Sequence, residues 1–410
     1  MKSKKLIILT QYFPPEVGAP QNRLYELALH LQKAGFTIIV LTAMPNYPQM
    51  KKHKGYRWKI YKKEAMNGLI VYRSWIFVSS AKSILPRLLN YFSFVFSSIF
   101  IGLIVLPKSD FLMVESPPLF LGISAYILSR IKKAKMIFNV SDLWPESAEK
   151  LNLVTNKTIL KYTYKLEAFC YKKAALVSGQ TQGICSNINQ RFPDKKTFWL
   201  PNGADVSFFS PQNHYSFYLR QKLGFSENDF LCLYAGIHGH AQGLETVLKA
   251  AKKMQDLEYI RFVFVGSGPV KEELIEMVKQ EKISNVYFLE TVDKKTMPEI
   301  LADIDIALVP LRKLELFEGA IPSKIFETLA MEKPIILAVD GEAKKHFVEN
   351  ANACFYVEPE NEYDMADKIR YAYHHREEIK QMGKNGREYV INVFNREKIA
   401  QSFYHQLAEL

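Results

Sequence analysis

Cysteine is scarce in this sequence. Its four cysteines, Cys170, Cys185, Cys232 and Cys354, are scattered, and none forms a C-x-x-C pair. That pattern offers neither a disulfide framework nor a thiolate zinc site, and it fits a reducing cytoplasm. Internal repeats and low-complexity tracts are absent. No secretory leader is expected at the start, because MKSKK runs straight into the strand-like LIILT. Acidic residues are short in one half. Residues 1–205 hold 29 Lys and Arg against 11 Asp and Glu, whereas the remainder holds 25 against 31. A basic half invites nucleic acid, an anionic membrane or an anionic substrate. No recognised nucleic-acid module accompanies the charge, so nucleic acid is set aside. The first loop, 10-TQYFPPEVGAPQNRLYELA-28, lacks G-x-G-x-x-G, which argues against NAD and FAD.

What is present is a chain of 410 residues, nearly half of them hydrophobic, long enough for two domains. Short apolar runs alternate with helical-length segments: 5–10, 36–42, 69–74, 111–116, 136–140, 175–179 and 197–200. After 201-PNGAD-205 the pattern restarts at 230–236, 259–266, 285–290, 304–310, 334–340 and 354–359. Strands buried on both faces and joined by crossover helices make an α/β, doubly wound parallel sheet. The expectation is two Rossmann-like domains, residues 1–205 and 206–389. The tail is helical, and a C-terminal helix at about 390–410 is a candidate to pack back on the first domain.

Two segments point to a surface. The run 88-LLNYFSFVFSSIFIGLIVLP-107 has no charge between Arg87 and Lys108 and is long enough to span a bilayer. Its Asn90, Ser93 and Ser97 recur at helical spacing, which marks one polar face. A span would also separate strands of one sheet, so the expectation is a buried or surface-dipping helix. The segment 51-KKHKGYRWKIYKK-63 carries seven Lys and Arg around Tyr56, Trp58 and Tyr61. That mixture suits an anionic membrane, with aromatics at headgroup depth; the plainer reading is a solvated loop.

Strand ends carry the candidate chemistry. In doubly wound sheets ligands bind beyond the carboxyl ends of strands. Gly18 lies in the first loop, where a glycine lets backbone amides approach a ligand. Asp142, Trp144 and Glu146 stand in 141-SDLWPES-147, directly after a strand. They suit a rigid loop facing a cleft, or a core Trp with a helix-capping Asp. In the second half, 235-AGIHGHAQGLETVLKAA-251 brings His240 and Gln242, 265-VGSGPVKEEL-274 brings Gly266 and Gly268, and Glu290 closes 285-NVYFLE-290. The stretch 318-EGAIPSKIFETLAMEKPII-336 supplies Glu318, Ser323, Lys324 and Glu327 at a helix start. Three anion-friendly loops on one sheet edge suit a nucleotide diphosphate.

PNGAD, VGSGP and PSKIFETLAMEKPII at these spacings resemble the GT4 family of retaining glycosyltransferases with the GT-B fold. TQYFPP…GAPQNR, SDLWPES and AQGLETVL resemble its WbuB-like branch of bacterial surface-polysaccharide enzymes. The resemblance runs over essentially the whole chain. It implies two Rossmann-like domains facing an interdomain cleft, the first binding the acceptor and the second a UDP-sugar. Glu327 matches the second glutamate of the family's E-x7-E motif, which binds the ribose. Gly319 stands where the first is expected, with Glu318 one place off. His240 and Gln242 occupy the segment where the family keeps an Arg and a Lys for the diphosphate, and Lys324 is the substitute. Asp142 and Lys324 are the catalytic candidates, and Asp142, Trp144 and Glu146 fall on the acceptor side. The chemistry alone leaves Asp142 or Glu146 open as a carboxylate nucleophile, whereas the resemblance implies attack on the face of departure with the leaving phosphate taking the acceptor proton. No D-x-D stands in a suitable loop, so neither metal nor cofactor is expected. The implied reaction moves a sugar, in this branch often an N-acetylated deoxyhexosamine, to a polyprenyl-diphosphate-linked saccharide in O-antigen or capsule assembly. The place is the cytoplasmic face of the plasma membrane, reached through 51–63 and the 84–107 helix. The alternatives are a GT-B UDP-sugar 2-epimerase and a glycan-assembly scaffold without activity.

Overall fold

A computed structural model describes residues 3–410 except 17, 48–49, 82–83, 153 and 215–216. The chain divides into one unit of Met1–Asn202 with Arg396–Leu410, and a second of Gly203–Asn395.

The first unit is built on β1 (Lys5–Leu9), β2 (Thr37–Ala43), β3 (Tyr61–Met66), β4 (Leu69–Ser74), β5 (Phe111–Ser116), β6 (Lys135–Val140), β7 (Leu176–Gly179) and β8 (Thr197–Trp199). They lie in the order β3-β4-β2-β1-β5-β6-β7-β8, every pair parallel except β3 with β4. Its helices are α1 (Ala19–Lys33), α2 (Ile84–Val105), α3 (Leu121–Ile131), α4 (Glu146–Lys150), α5 (Lys157–Lys173) and α6 (Gln182–Arg191). Side chains alternate across a strand, so one strand feeds two cores. Leu6 and Ile8 of β1 join Leu24, Leu27 and Leu31 of α1 on one face. Ile7 and Leu9 join Phe94 of α2 and Leu128 of α3 on the other. Burial on both faces is why the strand reads as an unbroken apolar run.

The second unit holds α7 (Tyr218–Leu223), β9 (Phe230–Ala235), α8 (Leu244–Lys252), β10 (Ile260–Val265), α9 (Lys271–Gln280), β11 (Val286–Leu289), α10 (Met297–Asp303), β12 (Ile306–Pro310), α11 (Lys324–Ala330), β13 (Ile335–Ala338), α12 (Glu342–Lys344), β14 (Cys354–Tyr356), α13 (Glu362–His374) and α14 (Arg376–Val393). Its strands run β11-β10-β9-β12-β13-β14, all parallel. The order reverses at β9, placing a topological switch point beside the loops after β9 and β12.

One expectation is corrected and two segments are defined more closely. The C-terminal helix at 390–410 is two helices. α14 stays with the second unit, and only α15 (Arg396–Ala408) returns to the first, where it packs on α1. Arg396 pairs with Glu26, and Phe403 meets Phe198 with ring centres 5.6 Å apart. The basic segment is not all loop: residues 61–66 form the antiparallel edge strand β3, whose Lys62, Lys63 and Glu64 mask its period of two. Charged edge strands of this kind discourage sheet-to-sheet association. Finally, the polar residues of α2 bond to the chain beside it, while Phe94, Val95 and Ile101 pack into the core. Asn90 donates to the Phe77 carbonyl (2.6 Å) and accepts from Gln11 (2.7 Å), and Ser93 accepts the Phe77 amide (2.8 Å). Its apolar Leu85, Leu89, Phe96, Phe100 and Ile104 are left exposed.

Candidate functional site

In the second unit, three segments meet at the carboxyl ends of β9 and β10. The loop after β9 begins at Gly236. A Cβ there would lie 2.8 Å from the Lys324 Nζ, so glycine makes the room that the amine occupies. Lys324, first residue of α11, sets its ammonium 3.7 Å from the centre of the Tyr234 ring. Among the described residues no carboxylate pairs with it. Desolvation pulls its pKa down from 10.5 to about 7. Tyr234 is held in turn by donating to the Ile237 carbonyl (2.6 Å).

Two residues on, His238 is fully buried among Tyr234, Phe264 and Phe288, and neither ring nitrogen finds a partner. Burial first, then the charges of Lys271 and Lys324, lower its pKa to about 4. The imidazole is therefore neutral at physiological pH. Nothing in the pattern around it singles it out, since a lone His in a glycine-rich loop carries no spacing signal.

Gly266 and Gly268, expected to open backbone to a ligand, are also required by packing. A Cβ on Gly266 would stand 2.0 Å from the Gly236 carbonyl oxygen, and one on Gly268 2.2 Å from that of His238. These glycines let the loops after β9 and β10 touch. Lys271 fastens the pair from α9, donating to the carbonyls of Gly266 (3.0 Å) and Leu289 (3.3 Å) and to Glu290 (2.7 Å). Glu290 is thus engaged by Lys271, with its side chain 85% exposed.

The other candidates sit around this centre. His240–Gln242 is a single 3-10 turn whose His240 and Ala241 carbonyls accept from Arg312, at 2.6 and 2.9 Å. A cation does reach the segment that lacks its own, but it is bound to backbone, Glu245 and Glu360. Glu318 is exposed in the turn Glu315–Gly319. Ser323 precedes α11 in helical geometry and makes no capping bond. The Ile325 amide is taken by the Pro322 carbonyl (3.1 Å) and is not free to meet an anion. Glu327 lies in the first turn of α11, half-buried.

In the first unit, Gly18 precedes α1, and its carbonyl accepts the Asn22 amide (3.1 Å). One turn into the helix, Arg23 reaches the ends of three strands. It pairs with Glu115 of β5 (2.5 Å) and donates to Ser141 (2.7 Å) and Gln180 (2.9 Å). Glu115 also accepts from Ser141 and from Asn139 (2.6 Å), and Ser178 donates to Asn139 (2.7 Å). Both charged side chains are more than nine-tenths buried. Sequence reading passed over this pair, although an acid ending the apolar run FLMVE was a signal. It holds the start of the loop that carries Asp142. Asp142 accepts from Ser147 (2.9 Å), and desolvation raises its pKa against that hydrogen bond. Trp144 packs edge-on to Phe120 (5.5 Å) against the core, and Glu146 pairs with Lys150 (3.1 Å) and accepts from Asn187 (3.4 Å). Among the described residues no three His, Cys, Asp or Glu side chains gather as a metal site.

Residues 217–389 match the family described as "Glycosyl transferases group 1". The chain carries a group 1 glycosyltransferase domain. Over 418 aligned residues it is 24% identical to an Escherichia coli K12 protein bearing the name colanic acid biosynthesis glycosyl transferase WcaI, covering 98% of this chain and 99% of that one. Among solved structures it resembles Anabaena HepE in complex with UDP and glucose, with a TM-score of 0.72 at 16% identity, covering 99% of this chain and 100% of that one. It also resembles WaaG, a glycosyltransferase involved in lipopolysaccharide biosynthesis, with a TM-score of 0.67 at 15% identity, covering 98% and 99%. The fold is GT-B, as in these solved structures.

Proposed function

We propose that this glycosyltransferase moves a sugar from a UDP-sugar to a polyprenyl-diphosphate-linked saccharide in bacterial surface-polysaccharide assembly, with retention at the anomeric carbon. The observation that carries the reading is Lys324: a desolvated ammonium with no carboxylate, set among the loops of the group 1 domain. A cation without a counter-ion is costly unless an anion arrives. The UDP diphosphate is such an anion, and the likeness to UDP-bound HepE and to WaaG of lipopolysaccharide biosynthesis favours a nucleotide donor and a glycolipid context.

In this reading the bond from the anomeric carbon to the diphosphate oxygen breaks through an oxocarbenium-like transition state. The acceptor oxygen bonds to the same face, and its proton passes to the leaving phosphate. Lys324 offsets the charge that builds on that phosphate. Glu327 holds the ribose, Gly18 lies near the sugar, and Asp142 and Trp144 lie on the acceptor side. The reaction takes place at the cytoplasmic face of the membrane, where the basic first unit meets its acceptor. Incubation with candidate UDP-sugars, with and without a lipid-linked acceptor, tests this. UDP release only in the presence of acceptor is expected. A converted UDP-sugar without acceptor would make the chain an epimerase, and binding without turnover would make it a scaffold.

A further inference from the structure

A recess of about 500 Å3 opens in the first unit between residues 50–57 and the strand-to-helix connection 75–80. Lys51, Lys52 and Arg57 line it, with Trp75 on the other side. Among the described residues none of these three cations has a carboxylate partner, whereas nearby Lys62 and Arg73 both pair with Glu64. Lys52 lies 5.4 Å from the centre of the Trp75 ring, and desolvation lowers its pKa. Cations gathered without a counter-ion around a concavity are complementary to a polyanion.

The far wall of the recess is fastened to α2. Ser97 donates to the Trp75 carbonyl (2.5 Å), while Ser93 and Asn90 hold both backbone groups of Phe77. The face of α2 turned away from its core-packed Phe94, Val95 and Ile101 carries Leu85, Leu89, Phe96, Phe100 and Ile104, exposed by 67, 47, 69, 64 and 67%. That stripe contains no acidic residue, and since Phe94, Val95 and Ile101 of the same helix pack into the core, α2 is apolar on its outward face as well as its inner one. A basic recess and an apolar stripe, joined through one helix, match a ligand with an anionic head and a hydrocarbon chain.

We infer that the recess takes the phosphate headgroup of a membrane lipid whose hydrocarbon chain lies along the outward face of α2. The inference rests on the proposed function only in taking that lipid to be the prenyl-diphosphate end of the acceptor. Neither a free phosphate nor a nucleotide would use the apolar stripe.

Calorimetric titrations with farnesyl diphosphate, inorganic pyrophosphate and farnesol test it, run with UDP saturating so that the nucleotide site is closed. Farnesyl diphosphate should bind more tightly than either fragment. Lys51→Gln/Lys52→Gln/Arg57→Gln should weaken it by about 100-fold, counting the usual contribution of three basic residues at an anionic headgroup. Phe96→Ser/Phe100→Ser should reduce farnesyl diphosphate to the affinity of pyrophosphate. All five substituted side chains are at the surface or line the recess, and circular dichroism checks their folding. Equal binding of farnesyl diphosphate and pyrophosphate to the unaltered protein would overturn the inference. So would unchanged binding in the triple variant. Lys324→Met should leave farnesyl diphosphate binding intact while weakening UDP, so failure of the donor reading is separable from failure of this one.

Discussion

The Lys324 amine makes UDP-sugar binding depend on pH in a direction that can be worked out. In the empty protein its pKa is about 7, against an ordinary 10.5, because the ammonium is desolvated. A bound diphosphate favours the charged form and raises the pKa again, so binding takes up a proton wherever the free amine is neutral. Affinity is therefore full below about pH 7 and falls as pH rises through that value. At about pH 8.5 roughly one amine in 30 is protonated, which lowers affinity about 30-fold, or ~2 kcal/mol. UDP-glucose suits the assay, since both its phosphates are esterified and take up no proton in this window. His238, at about 4, is already neutral throughout it. Calorimetry near pH 8, in two buffers of different ionisation enthalpy, should register uptake approaching one proton per ligand. Lys324→Met should bind weakly and without the slope. Lys324→Arg should also lose the slope, because a guanidinium stays charged. An unaltered slope in Lys324→Met, or no proton uptake by the unaltered protein, would show that this amine does not meet the diphosphate.

How much of this was legible depends on the range of each interaction. The strands of both sheets read directly from sequence because burial on both faces writes an unbroken apolar run, as in FLMVES, whose ends coincide with β5. β3 did not, because its charges Lys62, Lys63 and Glu64 are consecutive, and Lys62 and Glu64 occupy even its half-buried positions, which leaves no apolar alternation to read. The polar stripe of α2 was visible as a spacing, but the spacing alone does not say which face meets the protein. That was decided by the strand-to-helix connection at 75–77, whose backbone needs hydrogen-bond partners. Lys324 stood out because a lysine after Pro-Ser at a helix start is a local pattern. Arg23 and Glu115 are 92 residues apart, and only the sheet order brings them together. The glycines of VGSGP serve loop-to-loop contact, which leaves the same mark in sequence as ligand approach and could not be told apart from it there.

The remaining predictions concern the frame around these sites. Gly268→Ala should weaken UDP-glucose binding and lower the melting temperature, since its Cβ would meet the His238 carbonyl oxygen at 2.2 Å, whereas Gly319→Ala, with nothing within 4 Å, should change the melting temperature little; equal effects would refute the packing argument. Lys271→Met should cost about 2–3 kcal/mol by removing a charged donor from two carbonyls and Glu290, read by chemical denaturation of the second unit. The Arg23–Glu115 pair is the sharper case, because both charges are buried and each is compensated mainly by the other. Removing one partner leaves the second as an uncompensated buried charge, at roughly 3–5 kcal/mol. Arg23→Met and Glu115→Gln should each reach that range, yet the double variant should be far less damaged than their sum, because neither charge is then stranded. Two units need not unfold together, so the readout is amide-exchange protection of β5 and β6 rather than one melting temperature. Ser141 bonds to both partners, so the single variants should also speed exchange across the loop that carries Asp142. Additive losses, or a loop as protected in the single variants as in the unaltered protein, would mean that the pair acts only as filler at the end of the sheet.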